Sequence, residues 1–356
     1  MTRLTLDERV SESPIHTSIK FPSLALPKRR RELGILLTIF LFLSGLTFAA
    51  LQSPNLAIIF LLIMITGFII PSVLALLVLH PVRTQPQHTP ATFGIEHWED
   101  VSFFAPDHVA LHGWFIPPDA QKDGATLIFV HGLGGNRGQM LHEAAVLIAK
   151  GYGALLFDLR NHGTSDSAIT TFGYVEADDV QSAFEYLLTR SQVNRDRIGV
   201  VGYSMGGAAA LRAAARIPQI KAVVAESTYA SLEDNVATGM ISQTGLPAFP
   251  FAPFMLWLGE RLTGLQLKQL RPIDEVARLA PRPVLFVHGA RDHTVQMANS
   301  IKLYHAAEGP SGLYLVPQVR HAGLSAAVPE EFAIRVTGFL DWAVRGIDRR
   351  ARPRNN

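Results

Sequence analysis

The stretch 198–208, IGVVGYSMGGA, constrains the fold of this chain more than any other. An apolar run leads into Gly202-Tyr203-Ser204-Met205-Gly206, and a small-residue helical pattern follows. This is G-x-S-x-G in the setting that gives the pattern meaning: a strand, a sharp turn, then a helix. Such a turn strains its central residue. Gly202 and Gly206 leave space where a side chain would meet the neighbouring strand or helix. The Ser204 hydroxyl is then held at a helix N-terminus, where free N–H groups and the helix dipole favour developing negative charge. Ser204 is therefore the candidate nucleophile. The alternative is an ordinary glycine-rich turn, and the strand before it and the Gly207 and Ala-rich helix after it weigh against that.

A strand that feeds a helix needs neighbours of the same kind. Strands are expected over 125–130, 154–158, 198–202, 221–225, 283–287 and 313–317. Helices are expected over 140–150, 175–189, 205–216, 294–307 and 330–344. Residues 101–104 and 110–115 alternate like a pair of antiparallel strands. The pattern over 95–346 predicts an α/β fold, a mostly parallel central sheet with helices on both faces. Ligands bind such sheets outside the carboxyl ends of the strands. One interruption, about 228–280, has no strand signal and holds Phe249, Phe251, Phe254 and Trp257 among prolines. It reads as a short helical lid whose aromatic residues are substrate candidates. The same aromatics packing on the core is an equal reading.

A serine hydroxyl is a weak nucleophile until a base takes its proton, and the base needs an acid to orient it. For this type of turn the chain order is serine, acid, histidine. After the strand ending at Val287 comes His288-Gly289-Ala290-Arg291-Asp292, and after the one ending at Pro317 comes Gln318-Val319-Arg320-His321. Asp292 and His321 are the expected acid and base. His131, His162 and His293 are rivals for the base, and Glu226 is the reserve acid. Arg160 and Asp166, flanking His162, are expected to brace the site. Two backbone donors are needed for an oxyanion. Met205 N–H is one, and Leu133, between the glycines of His131-Gly132-Leu133-Gly134-Gly135-Asn136, is the other. That loop fails as a nucleotide cradle, since Arg137 stands where G-x-G-x-x-G needs its last glycine. No cofactor and no metal are expected, and the chain has no cysteine to ligate one.

The N-terminal part obeys different rules. Residues 1–33 are polar and end in Lys28-Arg29-Arg30-Arg31, a basic tail. From Gly34 to Leu79 there are 46 residues without a charge, broken by Gln52-Ser53-Pro54-Asn55. At about 1.5 Å per residue the run is long enough for two crossings of a ~30 Å hydrocarbon core. Spans are expected near 34–51 and 56–79, a transmembrane hairpin with a kink at Pro71. A signal peptide and a buried helical hairpin are the competing readings. Basic residues massed before the first span put the tail in the cytoplasm, and two spans return the catalytic domain to the same side. Residues 80–94 read as a Pro-containing linker and 347–356 as a basic C-terminal tail. With a formal net charge of +2 there is no nucleic-acid footprint. The expected partners are a lipid bilayer and a small or lipid-like acyl substrate.

The motifs VHGLGGN, FDLRNHGTSD, GYSMGG, HGARDHTV and VRHAG resemble, in this order, those of the α/β-hydrolase superfamily. Within it the chain is similar to the membrane-anchored ABHD and BEM46-like hydrolases and to prolyl-oligopeptidase-type domains. The resemblance implies a serine hydrolase acting on an ester, thioester or amide through an acyl-enzyme. By motif match it assigns Ser204, Asp292 and His321 to a triad and Leu133 and Met205 to the oxyanion hole. Esterase or thioesterase is expected over peptidase, since nothing marks an acidic pocket for a peptide amine. A non-catalytic ligand-binding protein on the same fold is the alternative from another class.

Overall fold

The computed structural model describes residues 41, 43–48 and 51–347. In chain order its elements are α1 (Pro54–Leu79), β1 (Glu99–Phe104), β2 (Ala110–Ile116), β3 (Thr126–Val130), α2 (Leu141–Ile148), β4 (Gly153–Phe157) and α3 (Glu176–Leu188). There follow β5 (Ile198–Tyr203), α4 (Met205–Arg216), β6 (Val223–Glu226), α5 (Leu232–Gly239), α6 (Ala248–Thr263) and α7 (Pro272–Val276). The chain ends with β7 (Val284–Gly289), α8 (Ala298–Ala306), β8 (Ser311–Val316), α9 (Leu324–Ala327) and α10 (Pro329–Ala343). Two compact units result. One holds His80–Ser231 and the chain from Leu270 onward; the other holds the described residues up to Leu79 together with Leu232–Gln269.

The first unit is built on an eight-stranded sheet in the order β1-β2-β4-β3-β5-β6-β7-β8. β1, β2 and β4 pair antiparallel, and every pairing from β4 across to β8 is parallel. The parallel strands are covered on both faces, so β3, β4, β5, β6 and β7 are buried at every position. Side chains alternate between the faces. Ile128 and Val130 join α3 and α4 in one core, and Leu127 and Phe129 join α2 and α10 in the other. Removing each such side chain from water contributes about 1.5–3 kcal/mol, which is what holds the helices to the sheet.

The linker expected over 80–94 lies on this unit. Arg83 donates to Ser165 O, and Asn136 Nδ2 donates to Thr84 O at 3.0 Å. Its last residues form a 3₁₀ turn, Pro90–Phe93. Prolines at 81, 86 and 90 remove backbone donors, so side chains rather than a strand ladder tie it down.

In the second unit α1 is continuous through Pro71, where a kink was expected. Ser53 starts it, with its hydroxyl accepting from Asn55 N–H at 3.2 Å. Among the described residues α1 alone is long and apolar enough to cross a membrane, with a mean hydropathy of 2.7. Of the other expected span, residues 41, 43–48 and 51 are helical, and the remainder lies outside the described residues, as do the basic tail 1–33 and all of the tail 347–356 but Ile347. Gly45 packs against the Phe60 ring, where a Cβ would come within 2.5 Å of Cζ. The segment 228–280, expected as a lid, is divided between the two units. Ser231 and α7 belong to the sheet unit, where Ile273 N–H bonds Ala230 O at 3.0 Å. The remaining segment carries α5, a π-turn over Met240–Thr244 and α6.

Candidate active site

β5 ends in the middle of the sheet, and the chain turns into α4 within a single residue. Ser204 makes that turn with φ 54° and ψ −116°. A serine is strained there, and the surrounding structure has to impose it. The glycines show how close the packing is. A Cβ on Gly202 would stand 2.5 Å from Gly206 O, and one on Gly206 would collide with Val130 O. Ser204 N–H bonds Glu226 O at 2.7 Å, and Gly207 and Ala208 N–H return to Ser204 O. The turn is thus fixed from the strand on either side.

Two other strand ends deliver partners. The loop after β7 carries Asp292 and the loop after β8 carries His321. His321 Nε2 lies 3.0 Å from Ser204 Oγ, and His321 Nδ1 lies 2.7 Å from Asp292 Oδ2. A carboxylate accepts only, so Nδ1 carries the proton and Nε2 is free to accept from the serine hydroxyl. The other Asp292 oxygen accepts from Thr294 N–H and Val295 N–H, both at 2.8 Å. Burial by itself raises a carboxyl pKa. Here hydrogen bonds from His288, His321 and Val295 outweigh it and hold Asp292 well below the usual carboxylate range.

His288 was not singled out from sequence. Its Nε2 lies 2.8 Å from Val295 O and 3.2 Å from Asp292 Oδ2, and its Nδ1 lies 2.6 Å from Ser300 Oγ. Two acceptors at Nε2 put the proton there, so the Ser300 hydroxyl donates to Nδ1. The signal was its position four residues before Asp292 at a strand end, which only the fold turns into a contact.

The loop after β3 is held from several directions. Gly132 N–H bonds Gln139 Oε1 at 2.9 Å, and Gly134 N–H bonds His162 Nε2 at 3.1 Å. Gly135 N–H bonds Gly132 O at 3.1 Å. Arg137 N–H bonds Asp158 Oδ1 at 2.6 Å. Among the described residues, the Leu133 and Met205 amides have no acceptor within the protein.

The rival histidines have other partners. His131 Nε2 accepts from Leu159 N–H at 3.0 Å, so its Nδ1–H donates to Gly132 O at 2.7 Å. Burial, helped by the neighbouring His162, pushes its pKa down to about 3. His162 accepts from Gly134 and donates Nδ1–H to Arg160 O at 2.8 Å, and burial lowers its pKa too. Both are neutral struts of the loop. His293 is exposed. Arg160 forks onto Asp179 and Asp107, each within 2.7 Å, and Asp166 accepts from Ala110 N–H at 3.0 Å. Both belong to the loop after β4 and tie it down, Arg160 to α3 and Asp107, and Asp166 to the start of β2.

Glu226 ends β6 fully buried, and its Oε1 has no hydrogen-bond partner among the described residues. Burial, reinforced by the charge of Glu143, raises its pKa well above that of a free glutamate. A carboxyl whose charged form is disfavoured is a poor partner for an imidazolium. The four aromatic candidates lie in the other unit. Phe251 lies over Gly67, Phe254 meets Phe68 edge-on with centroids 5.1 Å apart, and Phe249 and Trp257 are exposed. What Phe251 and Phe254 pack on is α1.

The family model described as alpha/beta hydrolase fold matches residues 125–254. The uncharacterized protein YfhR of Escherichia coli (strain K12) is 33% identical over 236 residues, covering 64% of this chain and 76% of YfhR. The alpha/beta hydrolase domain-containing protein WAV2 of Arabidopsis thaliana is 27% identical, covering 64% and 75%. Among solved structures the Pyrococcus furiosus esterase Pf2001 is similar at 27% identity and a TM-score of 0.62, covering 74% of this chain and 99% of the esterase.

Proposed function

Since this chain belongs to the α/β-hydrolase superfamily, we propose that it is a membrane-anchored serine hydrolase acting on an ester, thioester or amide through an acyl-enzyme. The observation that carries the reading is the hydrogen-bonded chain Ser204 Oγ, His321 Nε2, His321 Nδ1, Asp292 Oδ2 at a strained strand-to-helix turn. Ser204 Oγ attacks the substrate carbonyl carbon as its proton passes to His321 Nε2. The carbonyl oxygen becomes an oxyanion, for which the Leu133 and Met205 amides are the donors. Collapse breaks the bond to the leaving group, which takes the proton from His321. Water then repeats the sequence on the acyl-enzyme and frees the acid and Ser204.

Asp292 keeps the imidazole in the right tautomer and offsets its charge when it is protonated. Likeness to an esterase supports ester or thioester over peptide substrates. The anchor reading is supported by α1 and by the uncharged run that contains it. Two spans, near 34–51 and 56–79, with the basic tail and the hydrolase domain both cytoplasmic, follow from the charges before the first span. The test is a fluorophosphonate probe on membranes carrying the full chain. Wild type is expected to label and Ser204→Ala to stay unlabelled. Equal labelling of both, or of neither, overturns the nucleophile.

A further inference from the structure

The helical unit contains more apolar surface than an anchor needs. Between Asn235 and Gly259 there are 25 consecutive residues without a charge. α6, within that run and just beyond it, takes its inward positions from Ala252, Leu256 and Gly259, which are buried, with Gly259 against Leu267. Other apolar residues of the segment are exposed. Phe249 is 47% exposed, Trp257 42% and Leu262 41%, and Ile241 ahead of them is 55% exposed. Scattered exposed apolar residues are ordinary, but here four fall within the short stretch 241–262, as at a contact surface.

What covers that surface is indicated by where α6 sits on α1. Phe254 meets Phe68, and Phe251 lies against Gly67. These are eleven and twelve residues before Leu79, so the contact is about 16 Å along α1 from its C-terminal end. That is near the middle of the helix. At the same level α1 presents Ile69 at 52% and Ile70 at 43% exposure on its free side, with Val73 at 47% just beyond. If those side chains face hydrocarbon, α6 beside them faces it as well.

The polar groups agree. Thr47, Ser72, Thr238, Thr244 and Thr263 each donate to the carbonyl four residues back, at 2.6–2.8 Å. A hydroxyl satisfied within its own helix has no need of water. Trp257 lies under Arg261, whose guanidinium stands 5.8 Å from the ring, just where charges resume. An aromatic ring next to a basic residue is the pairing found at a membrane boundary.

We propose that the uncharged stretch 235–259 is itself membrane-inserted, with the N-terminal part of α6 seated in the hydrocarbon beside α1, lipid acyl chains covering Phe249, and Trp257 at the boundary. The lid and the anchor are then one lipid-embedded body, and a substrate reaches the lid from within the bilayer. This rests on the anchor reading above.

The chain has no cysteine, so single cysteines can carry an environment-sensitive fluorophore without a prior knock-out. Labels go at Phe249→Cys and Trp257→Cys in the full chain, reconstituted in phosphatidylcholine vesicles containing a lipid spin-labelled on its acyl chain. Leu62→Cys in α1 reports the anchor, and Ile334→Cys, exposed on α10, is the aqueous control. Loss of fluorescence at 249 as deep as at 62, a shallower loss at 257 and none at 334 are expected. Quenching at 62 alone overturns the proposal and leaves the anchor reading intact, and no quenching at 62 overturns both. A variant-free measurement guards against misfolded mutants. Wild type is illuminated with a phosphatidylcholine bearing a diazirine in its acyl chain, and cross-linked peptides are mapped. Adducts within 246–262 as well as 54–79 are expected, and adducts in 54–79 alone overturn the proposal.

Discussion

Asp292 and Glu226 are both buried carboxyls at strand ends beside Ser204, yet their surroundings shift their pKa values in opposite directions. Asp292 is given donors by His321, His288 and two backbone amides, whereas Glu226 Oε1 is given none. Asp292→Asn is therefore expected to keep the fold and lose about 10³- to 10⁴-fold in kcat, while Glu226→Gln stays near wild type. Steady-state hydrolysis of a chromogenic ester checks both, and the reverse ranking would transfer the acid's role to Glu226. His162 is expected to act through the loop it supports. Removing its bond to Gly134 in His162→Ala loosens the Leu133 amide and should lower kcat by roughly tenfold, about the worth of one hydrogen bond, with little change in KM. His321→Ala should abolish turnover. Full activity in His321→Ala would refute the proposed base.

At the scale of elements, the β5–α4 turn depends on backbone spacing and has no room to adjust. Gly206 faces the carbonyl oxygens of Val130 and His131, and a methyl group added there would overlap both. Backbone on both sides cannot yield, so Gly206→Ala should cost roughly 2–4 kcal/mol and abolish fluorophosphonate labelling. Gly338, inside α10, meets nothing within 4 Å. There Gly338→Ala should add about 0.5–1 kcal/mol through helix propensity alone. Thermal melting of the two variants measures the contrast, and equal effects would mean that the turn is softer than its geometry.

For the molecule as a whole, two buried groups give stability opposite slopes against pH. His131 is held neutral, with a folded pKa of about 3 against about 6.5 when free. The unfolded chain therefore binds the extra proton first. The stability this supplies is complete above about pH 6.5 and is lost as pH falls toward 3, by up to ~1.4 kcal/mol per pH unit. Glu226 has the opposite sign. Its raised pKa stabilises the fold at low pH, and that contribution is lost as pH rises above the free glutamate value. His131→Gln should flatten the loss of melting temperature as pH falls between about 6 and 4, and Glu226→Gln should remove the opposing decline that sets in as pH rises above the free glutamate value. Unchanged slopes would show that the two groups titrate as free side chains. Topology is tested on the same scale. An alkaline phosphatase fused at Asn356 should be inactive and a fluorescent protein there should glow, with the reverse pattern pointing to one span and an external enzyme.

Local pattern was enough for the sheet, because buried parallel strands and a G-x-S-x-G turn leave their periodicity and their glycines in the chain itself. Helix α4 begins and ends where the small-residue pattern does, at Met205 and Arg216. The order serine, acid, histidine narrowed the candidate site to a few residues, since strand ends were the only places from which they converge. Partners far apart in sequence were another matter. That His288 reaches Asp292, that His162 supports Gly134, and that residues 80–94 are bound to the loops after β3 and β4 are contacts made by the sheet's strand order, which no local period encodes. The aromatics of α6 show the same limit. Their composition fits a core, a lid or a lipid surface equally well, because burial of an apolar ring has no direction. Only the packing of Phe254 on Phe68 and of Phe251 on Gly67 decided that their neighbour is α1.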